Sequence, residues 1–403
     1  MPENAPNAKD RASLNNAKAQ SMVDEAPSDT KPCPYMKRLR VGVFFDGTNN
    51  NRYRDEAKGR NTNVDRLYNV YHHDEDEEAA RDKLYLIGLG ATDKAHETFT
   101  DENRTHQATH GEDNLLGKGL GLIFGRGAKE RLNIAYKWVK ETVTTHEGKY
   151  LKDSEKVVDV YGFSRGATLA RTFVNLIRQG LQQREGFRNV RVRFLGIFDT
   201  VGSIGIPGSL PGGDTNPGQN LGLDSGDFDA CSHFTARDEY RANFPLSELP
   251  GFDREYAGVH SDVGGGIIDG DPTGTRNHLA FITLTDMYQE SKNRHVELDK
   301  PAVPGDVNVE ALRREADIYE GQTPIMYDPN GSFPREREAW YAKYVHRSET
   351  EVSNWWGPLR GIVSFFNPNK AHTEGWIHPH LKREKFVHAK KKLGSLPPNF
   401  SWE

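Results

Sequence analysis

A chain of 403 residues has room for one large α/β domain or two small ones, and length alone does not choose between them. Its 53 Lys and Arg are outnumbered by 58 Asp and Glu, for a net charge of −5, which excludes the basic excess of an electrostatic nucleic-acid binder. Two cysteines, Cys33 and Cys231, without CxxC spacing, suggest neither a zinc site nor a disulfide framework.

Residues 1–35 are rich in Ala, Asn, Asp, Lys, Ser and Pro and hold almost no large apolar side chain, so a flexible tail is predicted there. They lack the apolar stretch of a secretory signal, and no later segment approaches about 18 consecutive apolar residues. The expectation is therefore a chain made in the cytoplasm with no signal peptide and no transmembrane segment. Any membrane contact would be peripheral, or would follow export by a machine that accepts folded cargo. Residues 36–403 read as a single domain, with an aromatic-rich extension from about residue 290.

The run Leu39, Val41, Val43, Phe44, Phe45 predicts a buried strand that feeds the polar loop Asp46-Gly47-Thr48-Asn49-Asn50. Similar runs, at Leu84 to Leu89, Val157 to Tyr161, Val192 to Phe198 and Tyr256 to Val259, read as strands buried on both faces. Helical patterns lie between them at Ala128 to Val143 and Thr168 to Ile177, and Gly117 to Gly127 reads as a mobile loop before the first of these. Alternating strands and helices predict a mostly parallel sheet with helices on both sides. The acidic run His73 to Glu78 is expected to be a solvated loop or helix start. Trp340, Tyr341, Tyr344, Trp355, Trp356, Phe365, Phe366 and Trp376 fit either a cap on the core or an apolar lid, with packing the default.

The chemistry concentrates at Gly162-Phe163-Ser164-Arg165-Gly166. A hydroxyl is a poor nucleophile at neutral pH, so a hydrolase sets its serine on a sharp strand-to-helix turn beside a histidine base. GxSxG spacing alone is weak, but here a strand precedes it and a helix pattern follows. Ser164 is the candidate nucleophile. Asp199 is the candidate acid because the run Val192 to Phe198 leads straight into it; Asp224, Asp227, Asp229 and Asp262 end no convincing strand. His260 is the candidate base, expected to close an apolar strand and open the turn Ser261-Asp262-Val263-Gly264-Gly265-Gly266. His233, expected to be helical or structural, and His378 are the weaker choices. Two N–H donors would hold a developing oxyanion: that of Arg165, and one from the turn at Asp46, whose side chain could instead hold a cation or organise the loop. Gly111 to Gly119 has five residues between the glycines, and Gly119 where a phosphate-binding loop needs Ser or Thr.

Five segments in this order, Phe44-Phe45-Asp46-Gly47-Thr48-Asn49-Asn50, Leu115-Leu116-Gly117-Lys118-Gly119-Leu120-Gly121, Gly162 to Ala167, Phe198-Asp199-Thr200-Val201-Gly202 and Gly258 to Gly266, together resemble the catalytic domain of bacterial type VI secretion phospholipase effectors. The resemblance covers about residues 38–290. It implies an α/β-hydrolase that cleaves an acyl ester of membrane phospholipid after injection into a rival bacterium and is countered in the producer by an immunity protein. It also supports Ser164, Asp199 and His260 as a triad. That chemistry requires no cofactor, and calcium dependence stays open. Larger members carry an extra C-terminal module thought to engage membrane, for which 403 residues leave little room. The alternatives are a soluble esterase acting on a non-lipid ester and a catalytically inactive hydrolase fold that serves as a binding module.

Overall fold

The computed structural model describes residues 37–91, 98–101, 104–107, 120–183, 189–202, 219–239, 241, 244–267, 276–319, 335–346, 383 and 385–391. Their strands are β1 (Arg38–Phe45), β2 (Ala79–Leu86), β3 (Thr98–Asp101), β4 (Arg104–Gln107), β5 (Lys156–Phe163), β6 (Val190–Phe198), β7 (Ala230–Ala236), β8 (Leu246–Glu248), β9 (Asp253–Tyr256) and β10 (Lys385–Val387). After a single turn at Arg52–Asp55, the helices are α1 (Asn63–Val70), α2 (Leu120–Lys149), α3 (Arg165–Gln183), α4 (His260–Gly264), α5 (Leu279–Asn293), α6 (Val309–Ile318) and α7 (Arg335–Tyr344).

Strands β2, β1, β5, β6, β7 and β9 form, in that order, a sheet in which every neighbouring pair is parallel. Parallel strands need crossover connections, and those connections cover both faces of the sheet. The side chains sort accordingly. Val41, Val43, Phe45, Val158, Val160, Leu195 and Ile197 meet Leu132, Trp138 and Val139 of α2 and Phe173, Val174 and Ile177 of α3. On the opposite face, Phe44, Tyr161, Phe194 and Phe198 meet Val64 and Leu67 of α1, Phe281 and Met287 of α5 and Leu312 of α6. Helix α1 starts cleanly because Thr62 Oγ1 accepts the Asp65 N–H at 3.1 Å. The chain leaves β1 toward β2 on one side and returns to β5 on the other. The direction of winding thus reverses between β1 and β5, and a crevice at the carboxyl ends of such strands is where open α/β sheets bind ligands.

The β5–β6 register slips between Val158 and Asp159, leaving Arg193 as the extra residue of a bulge. Arg193 turns inward and holds the buried Asp159 carboxylate through Nε at 2.9 Å and Nη2 at 2.6 Å, while Tyr71 donates to it at 2.8 Å. A buried ion pair thereby sits on that face of the sheet.

Several expectations need correction. The strand expected at Leu84 to Leu89 begins earlier, at Ala79, and ends at Leu86. The strand expected at Tyr256 to Val259 instead ends at Tyr256: Gly258, at φ 106°, breaks it, and His260 opens α4 instead of closing a strand. His233, expected to be helical or structural, is structural but lies on β7, a strand that also buries the polar Ser232 and Thr235. Residues 120–127, expected in a mobile loop, form the start of α2; residues 117–119 lie outside the described residues. The acidic run is a loop, with Asp74 and Asp76 bound to Arg81 at 3.1 and 2.7 Å.

Trp340 and Tyr341 are buried and their rings lie 5.4 Å apart, so this part of the aromatic region packs onto the core. Trp355, Trp356, Phe365, Phe366 and Trp376, like the tail 1–35, Cys33 and His378, lie outside the described residues. Cys231 is a free, half-buried thiol.

Candidate active site

Strand β5 is buried along its whole length and ends at Phe163; α3 begins at Arg165. The single residue between them, Ser164, takes the left-handed region at φ 59°, a conformation that a non-glycine residue adopts only under constraint. Two backbone bonds supply it: Ser164 N–H to Phe198 O at 3.0 Å and Val201 N–H to Ser164 O at 3.3 Å. Gly166 is required because a side chain there would collide with the carbonyl oxygens of Phe45 and Asp46. The elbow thus touches the end of β1 on one side and the end of β6 on the other.

Phe163 ties this elbow to the other motifs. Its ring lies 4.6 Å from the His260 ring, and side chains at Gly47 or Gly264 would occupy its place. Sequence segments more than 200 positions apart therefore converge on one ring next to Ser164.

Asp199, also left-handed at φ 42°, follows β6, and its Oδ2 lies 2.5 Å from His260 Nδ1. Asp199 Oδ1 accepts the Ala236 N–H at 2.8 Å. Arg383 clamps both oxygens, Nη1 to Oδ1 at 2.6 Å and Nη2 to Oδ2 at 2.7 Å. Burial disfavours the Asp199 charge, but Arg383 and His260 outweigh it and hold the carboxyl well below the usual carboxylate range. An ionised carboxylate only accepts, so Nδ1 of His260 carries the proton and the lone pair is on Nε2. Burial lowers the His260 pKa below its ordinary 6.5 despite the pull of Asp199, keeping the imidazole neutral at neutral pH.

The mount of His260 is itself fixed by hydrogen bonds. Asp262 Oδ2 accepts the N–H groups of Val259 at 2.9 Å and His346 at 3.1 Å, and His346 Nδ1 also bonds the Asp262 carboxylate. Gly258 N–H donates to Asp238 Oδ2 at 2.7 Å, and His260 N–H to Glu239 Oε2 at 3.3 Å. Asp262 is therefore a cap, not a partner for the imidazole. Asp224 and Asp227 bind Lys390, and Asp229 binds Arg191.

His233 plays a separate part behind Asp199. Thr200 N–H donates to its Nε2 at 3.1 Å, so Nδ1 is the protonated nitrogen and donates to Asp253 Oδ1 at 2.6 Å. It fixes the turn that carries Asp199.

The turn after β1 differs from the expectation. The Asp46 N–H is occupied by Leu86 O at 3.0 Å, so this amide is not a spare donor for an oxyanion. The sheet ladder runs one residue further than the sequence suggested. The Asp46 side chain organises the loop: it accepts the Gly47 N–H and Thr62 Oγ1, both at 2.7 Å, and the Tyr85 hydroxyl. Burial, with Asp65 nearby, pushes its pKa up to about 7 against these bonds. The Arg165 N–H lies in the first turn of α3, directly after Ser164. The Arg165 guanidinium lies 5.5 Å from the Phe244 ring, which Arg241 also covers at 3.7 Å. Burial and the Arg241 charge lower Arg165 to about 10.

Sequence reasoning missed Arg383, Glu239, Phe244 and His346. Phe244 stands edge-on to His260 at 4.9 Å. None carries a local motif; Arg383 sits in Leu381-Lys382-Arg383-Glu384-Lys385, which reads as solvated surface. Among the described residues, no group of three or more His, Cys, Asp or Glu side chains is arranged to hold a metal ion.

Residues 39–188 and 179–290 match the family described as T6SS, phospholipase effector Tle1-like, catalytic domain. No curated protein sequence matches the chain. Among solved structures, a Tle1 effector bound to the VgrG spike of the type 6 secretion system is similar with a TM-score of 0.54 at 19% identity, over 87% of this chain and 94% of that one. An uncharacterized protein from Pseudomonas aeruginosa is similar with a TM-score of 0.50 at 19% identity, over 92% of this chain and 65% of that one. At that identity the two structures speak for the fold, an α/β-hydrolase with a mostly parallel sheet between helices. The family match spans more than half of the 403 residues, and the chain belongs to the Tle1-like phospholipase effectors of the type VI secretion system.

Proposed function

We propose that this effector is a serine phospholipase in which Ser164, His260 and Asp199 act as a triad on an acyl ester of membrane phospholipid. The observation that carries the proposal is the His260–Asp199 pair, 2.5 Å apart, with the imidazole packed on Phe163, the residue directly before a serine held left-handed at the end of the central strand. His260 Nε2 takes the Ser164 proton as Oγ attacks the acyl carbonyl, and Asp199 orients the ring and stabilises the imidazolium. The tetrahedral oxyanion is held by the Arg165 N–H and by a second amide of the turn after β1, with Thr48 favoured over Asp46 because the latter is engaged in the sheet. The imidazolium then gives its proton to the leaving lysophospholipid oxygen. Water, deprotonated by the same ring, hydrolyses the acyl-enzyme.

No helix among the described residues is long and apolar enough to cross a membrane, and contact with the bilayer is proposed to be peripheral. The similar Tle1 effector is bound to a VgrG spike, which supports a spike component as the carrier that exports this chain from the producer's cytoplasm to the target cell. A cognate immunity protein in the producer completes the proposal.

The test is release of fatty acid and lysophospholipid from phosphatidylethanolamine–phosphatidylglycerol vesicles by the wild type and by Ser164→Ala, His260→Ala and Asp199→Asn. Release by the wild type alone is expected. Short-chain ester cleavage through Ser164 without vesicle hydrolysis would replace the phospholipase by a non-lipid esterase, and no Ser164-dependent turnover would leave a binding module.

A further inference from the structure

Asp199 makes more contacts than orientation of an imidazole requires. Its Oδ1 accepts from Ala236 N–H and Arg383 Nη1, and its Oδ2 from His260 Nδ1 and Arg383 Nη2. The Arg383 side chain is buried, and its Nε donates to Phe244 O at 2.7 Å while Nη1 also reaches Ala236 O at 3.3 Å. A buried arginine that forks onto a carboxylate presents a planar, permanent charge in one geometry, which lysine cannot reproduce.

This arginine arrives from 184 positions beyond Asp199, and residues 385–391 are anchored at several points. Strand β10 pairs in parallel with β8, Lys385 to Leu246 through Val387 to Glu248. His388 bonds Ser247 Oγ at 3.0 Å, and Lys390 holds Asp227 at 2.5 Å. Lys391 N–H donates to Asn220 Oδ1 at 2.9 Å, and Asn220 Nδ2 returns a bond to Lys391 O at 2.7 Å. Phe244, whose carbonyl receives Arg383, also sets its ring against His260.

We propose that Arg383 and residues 385–391 form a strap that completes the hydrolytic site, with Arg383 the positioning residue that fixes Asp199 and sets the proton affinity of His260. The proposal rests on the triad reading above. His260 faces Asp199, Glu239 through its own N–H, and the charge of Arg241; Asp262 and Asp238 are spent on the backbone of its mount, Asp238 also pairing with Arg237 and Asp262 with His346. Asp199 faces His260 and Arg383, with neutral His233 behind Thr200. Arg383 therefore supplies the compensating cation for Asp199 when His260 is neutral. Without it the buried carboxylate would have His260 as its nearest partner, and the imidazole would hold its proton to higher pH.

The experiment uses full-length Arg383→Gln and Arg383→Lys, with two readouts. The first is the pH dependence of kcat/KM for Ser164-dependent cleavage of a short-chain ester. The second is the titration of His260 by ¹⁵N NMR in the Ser164→Ala background, which needs no turnover. Arg383→Gln is expected to move the acid limb and the His260 titration upward together by about one pH unit and to lower kcat/KM about 10- to 100-fold, with Arg383→Lys in between. An unmoved titration, or equal effects of Lys and Gln, would overturn the proposal. If Arg383→Gln folds poorly, the double variant Asp199→Asn/Arg383→Gln removes both charges and is expected to regain the wild-type melting temperature; failure to regain it would assign Arg383 to packing alone and also overturn the proposal. A shifted titration in a protein that hydrolyses nothing would remove the proposed function and keep the electrostatic role, whereas hydrolysis with an unshifted titration would do the reverse.

Discussion

The ends of β1 and β6 look alike in sequence: Phe45-Asp46-Gly47-Thr48 and Phe198-Asp199-Thr200-Val201 each carry a buried aspartate directly after an aromatic strand end. Their surroundings drive them apart. Asp199 meets a guanidinium and an imidazole and is held ionised, whereas Asp46 meets the hydroxyls of Thr62 and Tyr85 and one amide, and its pKa rises to about 7. Cations support a buried charge far better than hydroxyls do. One strand end thereby holds a charged carboxylate against an imidazole and the other holds a loop in shape, a division made by residues distant in the chain.

The widest separation between the two is expected in turnover. Asp199→Asn should lower kcat on a soluble ester by about 10⁴-fold, because the amide cannot both fix the imidazole tautomer and stabilise its cation. Asp46→Asn should cost less than about tenfold; equal losses would erase the distinction drawn here. Gly166→Ala tests whether the elbow depends on the end of β1. The added methyl meets the Phe45 and Asp46 carbonyls, and a loss of about 100-fold in kcat with a lowered melting temperature is expected.

Proton linkage sharpens the contrast further. The raised pKa of Asp46 means that folding favours its neutral form. Its contribution to stability is greatest below the ordinary value of 3.8 and is lost as pH rises to about 7. Urea unfolding at pH 5 and pH 8 should therefore show a loss, of up to a few kcal/mol, that Asp46→Asn abolishes. Asp199 has the opposite sign: its stability contribution is present above the ordinary carboxylate range and disappears only in strong acid. The smallest effect is expected for Thr62→Val, which removes a hydrogen bond to Asp46 and the cap of α1 and should cost about 1–2 kcal/mol in the same unfolding assay.

What could be read from the sequence follows from which interactions are local. Strands β1, β5 and β6 were legible because burial on both faces demands continuous apolar runs, and the Ser164 elbow because a tight turn demands glycines at fixed offsets. Strand β7 escaped notice because it buries the polar side chains Ser232, His233 and Thr235, which break an apolar run, and His233 is bonded between Thr200 and Asp253. The end of β9 was misplaced because the apolar pattern continues through Val259 while Gly258 turns the backbone. The spare amide was placed at Asp46 because the sequence does not reveal that the ladder with Leu86 extends past Phe45. Arg383 had no sequence signal at all, since its partner lies 184 positions away and its neighbours are those of a solvated surface.

The central claim is that Ser164 forms the covalent intermediate with His260 as its base. It is tested most directly by treating the purified protein with a fluorophosphonate ester and mapping the adduct by peptide mass spectrometry. The account predicts a single adduct on the peptide carrying Ser164, formed in step with loss of fatty-acid release and suppressed in His260→Ala. An adduct elsewhere, or undiminished hydrolysis by Ser164→Ala, would contradict it.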